Sequence, residues 1–427
     1  MKLYKYPPAK EWPVIVQRPH ADLSAIEESV TRILKKVRKK GDKAVFKYTK
    51  KFDGAELTSL LVTDNEINQA ESLLEEELKT AIWQAKKNIE LFHFCQKEEV
   101  KKIDTMPGVT CWRRSLPIEK VGLYIPGGSA PLFSTVLMLA VPARIAGCRE
   151  IILCTPPSKD GNINPAILFA ANLCGVTKIY KVGGVQAIAA MTYGTASIPK
   201  VFKIYGPGNQ YVTAAKQLVQ QQGVSIDMPA GPSEVLVIAD ETAVPEFIAA
   251  DLLSQAEHGP DSQVLLITIS ETLAEKVNEA INDQLKSLPR KEIATKALQN
   301  SKTVVTNSLD EAIELSNLYA PEHLILSCEN AEEVSGKITN AGSVFIGNYS
   351  PESAGDYASG TNHTLPTNGY AAMYSGVSLD SFIKKITFQH LTKSGLNNIG
   401  NTVMVMAAAE GLDAHKNAVA IRLNNEQ

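Results

Sequence analysis

Four short apolar runs restrict the fold of this chain more than any other feature. Val121-Gly122-Leu123-Tyr124-Ile125, Ile151-Ile152-Leu153-Cys154, Ile179-Tyr180-Lys181-Val182 and Val201-Phe202-Lys203-Ile204-Tyr205 each lead into glycine or proline and then into a helix-like stretch. None alternates apolar with polar residues. Successive side chains of a strand point to opposite faces, so a strand with one wet face alternates and a strand covered on both faces does not. The pattern predicts parallel strands with helices on either side. A second set, Val235 to Ala239, Val264 to Ile269, Leu324 to Leu326 and Val344 to Ile346, predicts another sheet with its own crossover helices.

The flanks read differently. Ser24 with Glu27, and Thr63 with Glu66, have the spacing of capping boxes. Ile26, Val30, Ile33, Leu34 and Val37 recur at helical spacing, the basic run Lys35, Lys36, Arg38, Lys39, Lys40 forms a solvated opposite face, and Gly41 is a helix stop. After Gly376 helical spacing returns, with Phe382, Ile383 and Ile386 apolar and then Val403, Val405 and Met406. The expected fold class is α/β, with two Rossmann-like parallel-sheet domains and helical N-terminal and C-terminal extensions. A largely helical region, 1–105, packs on the second sheet domain. The first sheet domain covers 106–235, the second 236–375, and a helical tail 376–427. So short a tail rarely buries a core of its own, which points to packing on another domain or exchange with a second subunit.

Composition narrows the function. A chain of 427 residues, 44% hydrophobic and with a net charge of -3, can bury a large core and has no electrostatic footprint for nucleic acid or an anionic membrane surface. Met1 to Trp12 lacks the apolar segment of a signal peptide. The longest apolar run, Thr135 to Ala146, is interrupted by Pro142 and Arg144 and falls short of the roughly 20 residues that span a bilayer. Cys95, Cys111, Cys148, Cys154, Cys174 and Cys328 show no Cys-x-x-Cys spacing, as expected of reduced cytosolic thiols, and Cys154 reads as a core residue. The expectation is a cytoplasmic protein with a small-molecule partner, no nucleic acid and no membrane.

Three strand ends carry glycine-rich turns: Pro126-Gly127-Gly128-Ser129, Gly183-Gly184-Val185-Gln186 and Gly206-Pro207-Gly208-Asn209. Ligands of open α/β sheets sit beyond the carboxyl ends of the strands, where helix N-termini offer amide donors to phosphates. Each turn alone is equally a tight connection, whereas three together point to a dinucleotide or phosphate site. Farther on, Gln255 and His258 lie three residues apart, so on a helix they share a face and make half a site for zinc or a similar divalent ion. Of the seven histidines, His20 is unremarkable, His93 among Phe92, Phe94 and Cys95 reads as packed, and His390 reads as structural within a helix. His258, His323, His363 and His415 sit among polar and small residues. Glu322 and His323 bring a carboxylate and a base to a strand entrance, and Asp356 follows Ser353-Ala354-Gly355, a turn able to aim a carboxylate at a metal. His415 is either a further ligand or a surface side chain.

The run Ile226-Asp227-Met228-Pro229-Ala230-Gly231-Pro232-Ser233-Glu234, leading to Leu252-Leu253-Ser254-Gln255-Ala256-Glu257-His258, resembles the signature of the histidinol dehydrogenase family. Tyr124-Ile125-Pro126-Gly127-Gly128, Tyr205-Gly206-Pro207-Gly208-Asn209, Pro321-Glu322-His323-Leu324, Ser353-Ala354-Gly355-Asp356-Tyr357 and Ala414-His415-Lys416-Asn417 follow in the family's order. The resemblance covers nearly the whole chain. It implies a zinc-dependent homodimer with shared active sites that oxidises L-histidinol to L-histidine through an aldehyde, using two NAD+ and one water, in the last steps of histidine biosynthesis. It further implies one zinc ion per subunit held by Gln255, His258, Asp356 and His415, the last from the other subunit. Tyr124, Gln186 and Asn209 would line the NAD site. Ser233, Glu410, His323 and the metal ligands would surround the substrate.

Oxidising an alcohol requires a base for the hydroxyl proton, a task that suits His323, with an ordinary histidine pKa of about 6.5. The second oxidation requires a hydrate, for which Glu322 would activate water. A thioester on Cys111, beside Trp112, Arg113 and Arg114, is the competing route. Two other classes remain open at this level, a zinc hydrolase using Glu322-activated water and a non-catalytic nucleotide-binding module.

Overall fold

The computed structural model describes residues 1–18, 24–127, 131–229 and 231–424, with the side chains of Ser24 and Ala25 also left out. His20, the Ser24 capping box, Gly128 and Ser129 of the first glycine turn, and Ala230 therefore lie outside the described residues. Chain contacts define two compact units, Met1–Cys95 with Ile118–Phe382, and Gln96–Pro117 with Ile383–Gln427. The strands in chain order are β1 (Lys2–Lys5), β2 (Lys102–Met106), β3 (Val109–Pro117), β4 (Lys120–Tyr124), β5 (Glu150–Thr155), β6 (Lys178–Lys181) and β7 (Lys203–Tyr205). They continue as β8 (Ser225–Ile226), β9 (Glu234–Ala239), β10 (Gln263–Thr268), β11 (Lys302–Val305), β12 (His323–Ser327), β13 (Ser343–Ile346) and β14 (Ile383–Leu391).

The first unit holds two parallel sheets, ordered β6-β5-β4-β7-β8 and β1-β11-β10-β9-β12-β13. Apart from the edge strand β1 both have the same doubly wound order, third, second, first, fourth, fifth. Each has one switch point, between β4 and β7 and between β9 and β12. The absence of alternation now has its cause. Val121, Leu123 and Ile125 join one core cluster while Tyr124, Ile152 and Cys154 join another on the opposite face, so both faces are apolar. Helix Phe133–Ala146 carries ten consecutive buried residues, including Pro142. Burial pushes the Cys148 and Cys174 thiols up to about 12, as suits inert core residues. No helix among the described residues is long and apolar enough to cross a membrane.

Two expectations are corrected. The N-terminal helices do not pack on the second sheet. Ile26, Val30, Ile33 and Val37 of helix Ser24–Lys40 cover one face of the first sheet with Ile152 and Ile188, and Ile82 and Ile89 of helix Glu76–Phe94 join Leu123 and Leu153 on the other. β1, paired with β11, and Trp12, Ile15 and Val16 belong to the second sheet, as does Arg18, which is ion-paired with Glu234 of β9. The helical stripes complete faces that the crossover helices leave uncovered, and burial decides where they go.

The second correction concerns the tail. Residues 383–391, expected as helix, are strand β14, antiparallel to β3 from Ile383 opposite Pro117 to Leu391 opposite Val109. His390 is thus on a strand, opposite Thr110. Ile383 and Ile386 have helical spacing, but Ile386-Thr387-Phe388 also favours strand, and pairing with a distant segment decides such cases. With β2 these strands form the antiparallel sheet β14-β3-β2 of the second unit, followed by helices Lys393–Ala409 and Asp413–Leu423.

Candidate functional site

The carboxyl ends of β4 to β7 surround a cleft of about 990 Å³ whose lining includes Tyr124, Gln186 and Asn209, the three residues expected to face a dinucleotide. Its turns need glycine for close approach. A Cβ on Gly127 or Gly183 would lie 2.3 or 2.4 Å from Pro156, and one on Gly206, at φ +121°, would lie 1.9 Å from the carbonyl oxygen of Tyr124. The Tyr124 hydroxyl accepts from the Gly184 amide at 3.0 Å, and burial pushes the phenol up to about 12. Asn209 caps helix Gln210–Gln220, its Oδ1 accepting from Tyr211 and Val212 amides at 3.1 and 3.2 Å, which leaves its amino group for a ligand. Gln186 is buried with both amide atoms unpartnered. Asp53, at the end of helix Asp42–Phe52, also lines the cleft, and burial pushes its carboxyl up to about 6.

The second sheet gathers its reactive groups at the opposite end, where β9 and β12 begin. His323 opens β12 beside Val235 of β9. Gln255 lies in the last turn of helix Pro245–Ala256, and His258 follows its cap, with its amide donating to the Gln255 carbonyl at 3.2 Å. A helix C-terminus favours a cation. Glu352 and Asp356 stand one turn apart on the short helix Glu352–Tyr357. Asp356 is thus aimed by a helix, not by a glycine turn as expected. Gly355 is glycine because a Cβ there would meet the Phe345 ring at 2.6 Å.

The hydrogen bonds orient this centre. His323 Nδ1 lies 3.0 Å from the Glu234 carbonyl oxygen and donates to it, so in the neutral ring Nε2 carries the lone pair. Nε2 is 3.4 Å from Asp356 Oδ1 and 4.0 Å from Glu352 Oε2, and these three side chains bring ligand atoms within 4.8 Å of one another. Glu322 accepts from the Glu234 amide at 2.8 Å and stands 3.6 Å from His323 Nδ1. Burial opposes protonation of His323, but Glu322 and Asp356 outweigh it and hold the imidazolium well above its ordinary range. Burial raises Glu322. It also raises Asp356, but the His323 ring 3.4 Å away outweighs it and leaves that carboxyl below its ordinary value.

Gln255 Oε1, His323 Nε2 and Asp356 Oδ1 are buried and have no hydrogen-bond partner. A bare amide oxygen and a bare carboxylate oxygen are what a divalent cation would satisfy, and a bare imidazole nitrogen is what a base would use. Ser233 Oγ lies 3.1 Å from His258 Nδ1. Glu410, the cap of helix Lys393–Ala409, and His415, on helix Asp413–Leu423, are exposed residues of the second unit, to which the half-buried Cys111 of β3 also belongs. His363, whose role the sequence left open, links two elements. Its Nδ1 donates to the Asp356 carbonyl at 2.8 Å and its Nε2 lies 3.0 Å from Thr135 Oγ1. Glu352 and Asp53 were not legible as functional residues; a carboxylate after Pro351 and one at a helix end look like ordinary helix-terminal charges.

A dinucleotide-sized cleft on one doubly wound sheet and a base beside a cation-ready centre on another define an oxidoreductase of α/β architecture. The histidinol dehydrogenase family model matches residues 16–423, and the chain belongs to that family. It is 64% identical over 424 residues to histidinol dehydrogenase of Bacteroides thetaiotaomicron, with 99% of both chains covered. It is 57% identical over 411 residues to the chloroplastic histidinol dehydrogenase of Arabidopsis thaliana, covering 96% of this chain and 88% of that one. The crystal structure of histidinol dehydrogenase from Elizabethkingia anophelis superposes with a TM-score of 0.98 at 60% identity, covering 99% and 98% of the two chains. The hydrolase and the non-catalytic module gain no support from these relatives.

Proposed function

We propose that this chain oxidises L-histidinol to L-histidine through L-histidinaldehyde, with NAD+ as hydride acceptor and one zinc ion per subunit as substrate anchor. The observation that carries the reading is the trio of bare atoms, Gln255 Oε1, His323 Nε2 and Asp356 Oδ1, beside Glu322. Gln255, Asp356, His258 and the partner subunit's His415 would hold the zinc, which when bound fixes the imidazole and amine nitrogens of the substrate. By the family resemblance Ser233 and Glu410 would contact the substrate, Glu410 being suited to its ammonium group. The cleft with Tyr124, Gln186 and Asn209 takes the dinucleotide.

His323 then works as a base. Its Nδ1 is tied to the Glu234 carbonyl, so Nε2 receives the hydroxyl proton. A cation held by Asp356 would relieve that carboxylate's pull on the imidazolium and favour the neutral form of His323 that this step needs. Glu322, less acidic than a free carboxyl because it is buried, draws a proton from water as the aldehyde is hydrated. His323 returns its proton to the carbonyl oxygen as the hydrate forms, and the neutral ring then deprotonates that hydrate for the second oxidation. The reading also includes a cytoplasmic homodimer with shared sites. The test is absorbance at 340 nm with histidinol and NAD+, with and without a chelator. Two NADH per histidinol are expected; one would mean that oxidation stops at the aldehyde, and none would return the hydrolase to consideration.

A further inference from the structure

Glu352 is the unexplained group at the centre. Its side chain is 2% exposed, and no lysine or arginine among the described residues pairs with it. Its Oε1 accepts from Ser254 Oγ at 2.7 Å and from Ser353 Oγ at 3.2 Å, and its Oε2 accepts from Gln255 Nε2. A buried carboxylate whose nearest basic group is the His323 ring at 4.0 Å is costly, and its placement calls for a reason.

The bond to Gln255 supplies one. A carboxylate only accepts, so the Gln255 amide must present its NH2 to Glu352, and its Oε1 must face the other way. That oxygen is buried and has no donor, and the Glu352 Oε2 that holds its amide lies 4.0 Å from the bare His323 Nε2. Were the amide turned over, two oxygens would oppose each other and N–H groups would face the cation.

We propose that Glu352 is a positioning residue of the metal centre, its carboxylate holding Gln255 Nε2 so that Gln255 Oε1 is presented to the cation. The inference rests on the reading that the centre binds zinc. The orienting partners of metal ligands are worth 10–100-fold in affinity, which makes the effect measurable without turnover.

The experiment is zinc affinity by competition with a chromophoric chelator, with thermal stability followed in parallel. Glu352→Gln keeps the volume but makes the orientation of both amides ambiguous, and it should weaken zinc by about tenfold or more. Glu352→Met removes the acceptor altogether and should weaken it at least as much. In the exchanged pair Gln255→Glu/Glu352→Gln the total charge is that of the natural chain and residue 352 can donate where it formerly accepted. Affinity should return to within about threefold of the natural value, the tolerance of non-additive neighbours.

Natural affinity in Glu352→Gln, or an exchanged pair no tighter than Glu352→Gln alone, would overturn the proposal. A merely structural role predicts lost stability with no recovery on exchange. Absence of zinc from the unsubstituted chain would overturn the metal centre itself, a result distinct from either.

Discussion

His323 shows how one backbone contact decides chemistry. Its Nδ1 is committed to the Glu234 carbonyl at 3.0 Å, so only Nε2 can take a proton from a substrate. His323→Asn should lower turnover roughly 10²-fold or more, the usual scale for a lost general base, with zinc content unchanged. Steady-state kinetics with metal analysis checks this; loss of zinc in that variant would make His323 a ligand. Two other histidines govern stability. Burial lowers His93 and His363 below the ordinary 6.5. The unfolded chain then binds protons first, so stability is complete above about pH 6.5 and is lost as pH falls from there toward their folded values. Comparing urea midpoints at pH 7.5 and 5.5, His93→Gln should show a flatter decline than the natural chain. Asp53 has the opposite sign. Its carboxyl is raised to about 6 in the folded state, so stability falls as pH rises from about 4 to 6. Asp53→Asn should therefore melt higher at neutral pH when no dinucleotide is bound; a lower melting temperature would mean that the carboxylate has a stabilising partner.

At the scale of elements, the turn from β7 into helix Gln210–Gln220 is the tightest joint. The Gly206 amide donates to Asp227 at 2.8 Å, its carbonyl accepts from Lys216 at 2.8 Å, and Lys216 is ion-paired with Asp227. Gly206→Ala would drive a Cβ into the Tyr124 backbone, whereas Gly223→Ala, also at positive φ (+79°), meets nothing within 4 Å. Urea unfolding should show a cost of roughly 1 kcal/mol at Gly223 and at least about 3 kcal/mol at Gly206. Equal costs would deny the close approach of β4 and β7. The apolar runs that became β4 to β7, β9, β10, β12 and β13 were legible because burial on both faces leaves a mark in sequence. β1 and β11 were not: Lys2-Leu3-Tyr4-Lys5 and Lys302-Thr303-Val304-Val305 are four residues each, and each begins with lysine. β14 was misread because Ile383 and Ile386 fit a helix until β3 is there to pair. The site divides in the same way. Glu322 and His323 stand out at a strand entrance and Asp356 after a small-residue run, while Glu352 owes its role to Gln255, 97 residues distant, and distance of that kind leaves no local pattern.

At the scale of the molecule, the second unit poses a problem that one chain does not solve. Its β2 is exposed throughout, and its two helices pack on each other closely enough that a Cβ on Gly400 would lie 2.7 Å from Leu423. Yet Val405, Met406 and Ile421 remain 61%, 60% and 55% exposed. Adjacent apolar side chains left in water are a liability unless something covers them. In the proposed homodimer a second copy does so, and the same association delivers the partner subunit's His415 to the zinc. Stability and metal binding are then coupled through this surface. Val405→Asp with Met406→Asp should yield monomers in sedimentation equilibrium, because two buried carboxylates without partners cost several kcal/mol. Zinc affinity should fall in the same variant, while NAD+ binding, which belongs to the cleft of the first parallel sheet, should persist. A variant that stays dimeric would move the interface elsewhere, and a monomer with natural zinc affinity would confine the metal site to one chain.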